Sequence, residues 1–237
     1  MCDASANPAV CFEDNSEETS HMRRIPLPRL LGGLIVCGMF CLAPSVWPQS
    51  QDSIGRVTAV EGRATVLRQG RFAPEAVTLQ KPVFQEDVIE TDVASKVRIT
   101  LTDATVISLG ERSRLEFKQF LYDPRQQTRT GRFIIPSGIF RTIIRTLIPQ
   151  STIDIVTPTA LAAIRGTDLM GEVSAESTAI VVLEGTVMIS NVRARFRGLA
   201  TLTEGTGTTV VDEQPPSAVT KWSESRVEAL RRATTIP

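Results

Sequence analysis

Histidine and cysteine are nearly absent. The 237-residue chain has one His, His21, and four Cys, none of them beyond Cys41. The rest of the chain therefore has no Cys/His zinc site, no disulfide framework and no Cys- or His-based catalytic apparatus. Aromatic residues are scarce at 5%, and 26 basic groups cancel 26 acidic ones. The balance over residues 51–237 is only +2, which with so few aromatics argues against a nucleic-acid groove. There is no Gly-x-Ser-x-Gly elbow, no His-Glu-x-x-His and no Gly-Lys-Ser/Thr phosphate loop. The Asp-containing turns lack the alternating oxygen ligands of a calcium loop. No enzyme, metal or cofactor is expected. Apolar residues at 42% and charged residues at 22% exclude wholesale disorder and a polytopic membrane protein.

What is present begins with an export pattern. Arg23, Arg24 and Arg29 precede a 14-residue apolar run, Leu30–Ala43, and a short polar stretch follows to Ser50. As a helix the run would span about 21 Å, short of a roughly 30 Å hydrocarbon layer. Gly32, Gly33 and Gly38 disfavour a buried core helix, so the segment reads as a bacterial signal peptide. Ala43 and Ser45 place cleavage after Ser45. Left uncleaved, the run to Trp47 would anchor the chain with its arginines in the cytoplasm and the remainder outside. Residues 1–21 carry five carboxylates and no Lys or Arg. They read either as an untranslated extension ahead of a start at Met22 or as a short acidic tail. The expected organisation is this extension, a signal peptide or anchor over 22–50, an all-β domain over 51–214, and a proline-led tail with a short helix over 215–237. The expected location is the periplasm, free or anchored to the inner membrane.

After residue 50 apolar and polar residues alternate in runs of four to seven, the period of a pleated strand. Lys96–Thr102 is the clearest, with Val97, Ile99 and Leu101 on one face. Asp103-Ala104 forms a tight reversal into Thr105–Leu109, and Arg114–Lys118 alternates again. Further strands are expected at 56–60, 64–68, 88–91, 153–156, 179–183, 186–190, 193–197 and 208–211, with turns at Glu61-Gly62 and Glu184-Gly185. About a dozen short strands at this spacing indicate an all-β fold, a roll, a β-helix-like stack or a sandwich, rather than βαβ units. Residues 139–148 fit either an amphipathic helix or a strand; their Ile and Thr content favours a strand with Arg141 and Arg145 in solvent. Lys221–Ala233 reads as a helix packing through Trp222, Val227, Ala229 and Leu230.

Four blocks carry a resemblance. They are Gly55-Arg56-Val57 with Glu61–Val66; Asp87–Thr91 with Ser95–Ile99; Asp103–Leu109 continuing to Leu115; and Val156–Ala160 with Ala163–Asp168, completed by Val182–Val187. In these blocks, over about residues 55–211, the chain resembles the FecR domain family, the extracytoplasmic domain of ferric-citrate sensing regulators. The resemblance implies a strand-rich roll or β-helix-like stack without catalytic residues. The better-studied regulators place a cytoplasmic anti-sigma-factor domain before their membrane span. Only 29 residues precede the apolar run here, too few for one. Ala104 stands where the family often has Gly in an Asp-Gly turn, implying that positive φ is not needed or that the turn type differs.

The family motif residues Thr157, Pro158, Arg165, Gly166, Thr167, Glu184 and Gly185 are expected to be structural. Gly166 permits a turn or a close backbone approach, Thr167 bonds backbone through its hydroxyl, and Arg165 bridges carbonyl groups with its fork of donors. Most of the carboxylates at Asp87, Glu90, Asp92, Asp103, Asp154, Asp168 and Glu184 sit at turns or on polar faces, where solvent accounts for them. Residues 111–145 hold eight basic groups and three acidic ones. Arg141 and Arg145, with the row Arg193, Arg195 and Arg197, are candidate contacts to an anionic surface. The expected function is a non-enzymatic interaction or scaffold module of the cell envelope, binding another envelope protein or a surface polymer. The alternative is a small-ligand sensor or signalling domain of a regulatory system.

Overall fold

A computed structural model describes residues 52–145, 147–193 and 198–236. The N-terminal extension and the export segment lie outside the described residues. Residues 49–237 form one compact unit with its own core. Among the described residues the alternation read from the sequence becomes fifteen strands. They are β1 (Gly55–Glu61), β2 (Ala64–Leu67), β3 (Glu75–Ala76), β4 (Pro82–Val83), β5 (Val88–Thr91), β6 (Lys96–Leu101), β7 (Val106–Leu109), β8 (Arg114–Asp123), β9 (Thr128–Ile143), β10 (Gln150–Val156), β11 (Ala160–Val173), β12 (Ser177–Asn191), β13 (Leu199–Thr203), β14 (Thr206–Val211) and β15 (Thr220–Lys221), and one helix, α1 (Glu224–Thr234), follows. In β6, Val97, Ile99 and Leu101 are buried while Lys96, Arg98 and Thr100 alternate with them.

The pairings resolve into two layers linked by three long strands. One layer runs β3-β2-β5-β8, then the first half of β9, β10, the first half of β11, the second half of β12, and β13. The other runs β4-β1-β6-β7, then the second half of β9, the second half of β11, the first half of β12, β14 and β15. The β9–β10 pair is parallel and the rest are antiparallel, so the sheet is mixed. β9 changes layer around Pro136-Ser137-Gly138, where Gly138 has φ +101°. One continuous cluster fills the space between the layers, with Ile89, Leu115, Phe117 and Phe133 from one and Ile99, Ile107, Phe140 and Leu169 from the other. The core is that of a sandwich whose halves share strands.

Two expectations change. Residues 139–143 are strand, as favoured, but they continue a sixteen-residue β9 whose first half the alternation did not reveal. Residues 179–183 and 186–190 belong to a single strand, β12, so Glu184-Gly185 lies inside it and is not a turn between two strands. β12 ends at Asn191 and β13 begins at Leu199; residues 194–197 of the strand expected at 193–197 lie outside the described residues.

Asp103 departs furthest from its expected solvent exposure. Its carboxylate accepts from Thr105 N (2.9 Å), Thr105 Oγ1 (2.6 Å) and Arg129 Nη1 (2.7 Å), and Arg129 Nε donates to Ser151 Oγ (3.0 Å). The two side chains are 0% and 1% exposed. The pair joins the β6–β7 turn of one layer to β9 and β10 of the other. Ala104 in this turn adopts φ +67°. The positive φ is therefore kept without the glycine, which overturns the first of the two alternatives.

Ser223 caps α1, accepting from Arg226 N, with Glu224 in the first turn and Arg231 and Arg232 in the last, the arrangement a helix dipole favours. Leu230 packs with Met170 and Val181, flanked by Ile139, Leu183, Trp222 and Val227. These strand residues face outward, since their neighbours Leu169 and Val182 face the main core. The helix thus covers the outer face of one layer, while Ala229 stays exposed. Lys96 Nζ and Arg98 Nη2 donate to the carbonyls of Thr235 and Ile236 and hold the chain end. No helix among the described residues is long and apolar enough to cross a membrane.

Candidate functional site

The motif residues fall into two clusters on β11, about 20 Å apart at 3.3 Å per residue. The first is the β10–β11 reversal, Thr157–Ala160. Thr157 N donates to Ala160 O (2.9 Å), and Thr157 Oγ1 accepts from Ala160 N (2.9 Å). Thr157 Oγ1 also lies 2.7 Å from Thr178 Oγ1, and Thr159 Oγ1 lies 2.8 Å from Thr178 Oγ1 and 3.0 Å from Val210 O. All three threonines are buried, while Pro158 is exposed at the tip. Every buried hydroxyl here has a partner, which makes the cluster a brace between β11, β12 and β14. Thr159 lies in the Val156–Ala160 block but was given no role, and Thr178 was missed, because an isolated threonine in a Thr-rich β chain carries no signal.

The second cluster is a double bulge. Arg165 pairs with Thr186 and Asp168 with Glu184, so Gly166 and Thr167 oppose the single residue Gly185. Asp168 and Leu169 then oppose Glu184 and Val182, which leaves Leu183 as the extra residue on β12. Gly166 has φ +61° and Gly185 φ +90°. A Cβ on Gly185 would stand 2.5 Å from Gly166 O, so the two strands touch through backbone. Thr167 is buried, and its Oγ1 lies 3.0 Å from Thr186 O and 3.3 Å from Arg165 O. Two opposed bulges bend both strands. At this bend β11 leaves β10 for β9, and Ile144 N donates to Thr167 O (2.9 Å).

Arg165 does not brace carbonyl groups. It is exposed, and its guanidinium has no partner among the described residues; Thr167 supplies the bracing that the sequence assigned to the arginine. Arg141 is likewise not a solvent-facing cation. Its Nε and Nη2 grip Asp168 Oδ1 and Oδ2 at 2.9 and 2.7 Å, and the carboxylate pushes the guanidinium pKa up. Arg193 is held by Asp212 and Glu213. Arg195 and Arg197 lie outside the described residues. Of the expected anionic-surface contacts, Arg145 alone is described as exposed and unpaired.

The bend opens a recess of about 310 Å³ bounded by Ile143, Arg145, Leu147, Gly166, Thr167 and Glu184. Leu147 stands 76% exposed at its rim. A second open recess, about 650 Å³, lies at the far end by Asp52, Gln85, Phe120 and Tyr122. The carboxylates do not converge. Glu90 pairs with Arg114, Asp154 with Arg132 (3.5 Å), and Asp92 Oδ1 accepts from Val93 N. Asp87 is buried, contrary to its expected exposure, and its Oδ2 accepts from Phe84 N (2.9 Å); burial pushes its carboxyl pKa up. Among the described residues no three His, Cys, Asp or Glu side chains are grouped to hold a metal ion.

Comparison with known proteins agrees with the fold. Two crystal structures of a candidate anti-sigma factor from Parabacteroides distasonis ATCC 8503 superpose with a TM-score of 0.50 at 14% identity. The match covers 60% of this chain and 62–63% of theirs, a little under two thirds of that protein's chain. At such identity the likeness is one of fold. No protein of curated function matches the sequence. Residues 87–188, which hold the buried Asp103, the threonine brace and the double bulge, match the FecR protein family, and the chain carries a FecR-like domain there.

Proposed function

We propose that the domain is a non-enzymatic, extracytoplasmic signalling module of an envelope regulatory system, working through contact with another protein. The FecR match over residues 87–188 carries this reading. The fold shared with a candidate anti-sigma factor lends it a regulatory sense. The interior is continuously packed and the recesses open to solvent, which suits a protein surface better than an enclosed small ligand. The recess at the double bulge is the candidate contact, with Leu147 as an apolar knob and Arg145 as a free cation beside it. The arginine-led apolar segment supports export from a start at Met22 to the periplasm, with the domain released or anchored.

Transcript profiles of cells with and without the chain test the signalling role. A defined gene set should change on deletion and return with the parent chain, but not with a folded Arg145→Glu/Leu147→Ser variant. Unchanged transcripts would remove the regulatory reading and leave a scaffold. Export is tested by fusing residues 22–60 to a reporter active only outside the cytoplasm. Activity should appear, and Ile35→Asp with Val36→Asp should abolish it; an inactive parent fusion rejects export.

A further inference from the structure

An open sheet has edges, and an edge strand offers unpaired backbone groups to any strand that meets it. Most edges of this domain are blunted. β3, β4 and β15 are two residues long; Pro82 stands in β4 and Lys221 in β15. Past its pairing with β4, β1 is bulged between Val57 and Ala59. The outer half of β8 is bulged between Phe117 and Gln119, carries Lys118, and has Phe120 N donating to Gln85 Oε1 (3.3 Å). Residues near Pro215-Pro216 and β15 shield β14, with Ser217 N donating to Thr209 O.

Among the described residues β13 carries one such device, at its C-terminal end, where the Thr206 hydroxyl takes both backbone groups of Thr203, and Leu199 to Leu202 have none. It reads Leu199-Ala200-Thr201-Leu202-Thr203, five residues without charge, Pro or bulge, paired along one side to β12. Thr203 N donates to Thr206 Oγ1. In an antiparallel ladder successive residues alternate in direction, so Leu199 and Thr201, of the same parity, turn their backbone groups away from β12. Exposed bulky side chains gather here as well: Leu199 is 69% exposed, Met188 opposite Thr201 is 49%, and Val192 is 38%.

We propose that β13 is the edge through which two copies of this domain pair, antiparallel and about a two-fold axis at Thr201. The strand is neutral, so it gains nothing from a charged partner, and it is complementary to itself. Thr201 would exchange both backbone hydrogen bonds with its counterpart, a Thr–Thr pair of the kind sheets favour. Leu199 would fall opposite Thr203 of the other copy, whose N–H and carbonyl stay with Thr206 Oγ1, so the two Thr201 bonds would carry the ladder while the Leu199 and Met188 side chains form one apolar strip across the join. A two-fold, self-complementary contact is the commonest way for identical chains to close. The interface is small, so the dimer should be concentration-dependent.

Residues 49–237 hold their own core and contain no cysteine, so this unit serves as the probe. Sedimentation equilibrium should show the mass rising toward twice the monomer value with concentration. Thr201→Pro should stay monomeric with an unchanged urea midpoint, because the N–H it removes points outward. Thr201→Cys should crosslink to itself with a short bis-maleimide, and Leu121→Cys on β8 should not. A parent that stays monomeric to about 1 mM, the weak end of specific association, would overturn the proposal. A dimer that survives Thr201→Pro would also overturn it, by placing the contact elsewhere.

Discussion

Ala104 sits at φ +67° in the β6–β7 turn, a backbone region that costs an L-residue about 1–2 kcal/mol. Glycine removes that cost and adds about 0.5–1 kcal/mol of chain entropy to be lost on folding. Ala104→Gly should therefore raise stability by roughly 0.5 kcal/mol, read as a higher urea midpoint. The neighbouring Asp103 works in the opposite sense. Asp103→Ala leaves the Arg129 guanidinium buried without its counter-ion, a change worth about 3–5 kcal/mol. Asp103→Leu combined with Arg129→Met should recover much of that loss, and urea unfolding of the three variants checks it. Asp87 gives a pH signature. Burial raises its folded pKa above the unfolded value, so the folded state binds the proton more tightly. Its contribution is fully present below the unfolded value of about 3.9 and is lost as pH rises through the folded one. Asp87→Asn escapes this loss. The melting temperature of the variant relative to the parent should rise between pH 4 and pH 7, and a flat difference would refute the assignment.

The double bulge is an element-level device, and its glycines differ in what they tolerate. A Cβ at Gly185 meets the backbone of Gly166 at 2.5 Å, whereas one at Gly166 meets only the Leu147 side chain, which is exposed and can swing aside. Both positions carry positive φ. Gly185→Ala should thus lower the urea midpoint more than Gly166→Ala, and Gly166→Val more than Gly166→Ala because of β-branching. Arg165→Ala should stay within about 0.5 kcal/mol of the parent, as for other surface truncations. Equal losses at Gly166, Gly185 and Arg165 would mean that the bulge is not set by backbone contact. The positive φ of Gly166 and Gly185 was legible, because two glycines flanked by strand pattern advertise special backbone, although Gly185 lies inside a strand and not in the expected turn. The division of labour between Arg165 and Thr167 was not legible, since it depends on which side chain points inward at a bulge.

At the scale of the molecule, the two layers are not separable. β9, β11 and β12 each contribute one half to either layer, and the Asp103–Arg129 pair ties them again across the core. Neither layer can leave without breaking strands that the other needs. Residues 49–237 should accordingly unfold in one transition. Fluorescence of Trp222, beside α1 on the outer face, and far-ultraviolet circular dichroism of the strands should give coincident urea curves. Separate midpoints would show that the helix-bearing layer opens on its own.

Local pattern by itself determined the strand-rich class, the short strands β1, β2, β5, β6 and β7, the start of β8, the C-terminal helix and the glycines at which backbone leaves the ordinary β region. These follow from two-residue alternation, from turn chemistry and from the αL preference of glycine, all read within a few residues. Tertiary structure alone decided that the later strands are twice as long and change layers, because a bulge hides the continuity of alternation across it. It also decided that Asp87, Asp103, Arg129 and Arg141 are taken out of open solvent. A charge at a turn looks the same in sequence whether water or a distant counter-ion satisfies it, and the counter-ions of Asp103 and Arg141 lie 26 and 27 residues away.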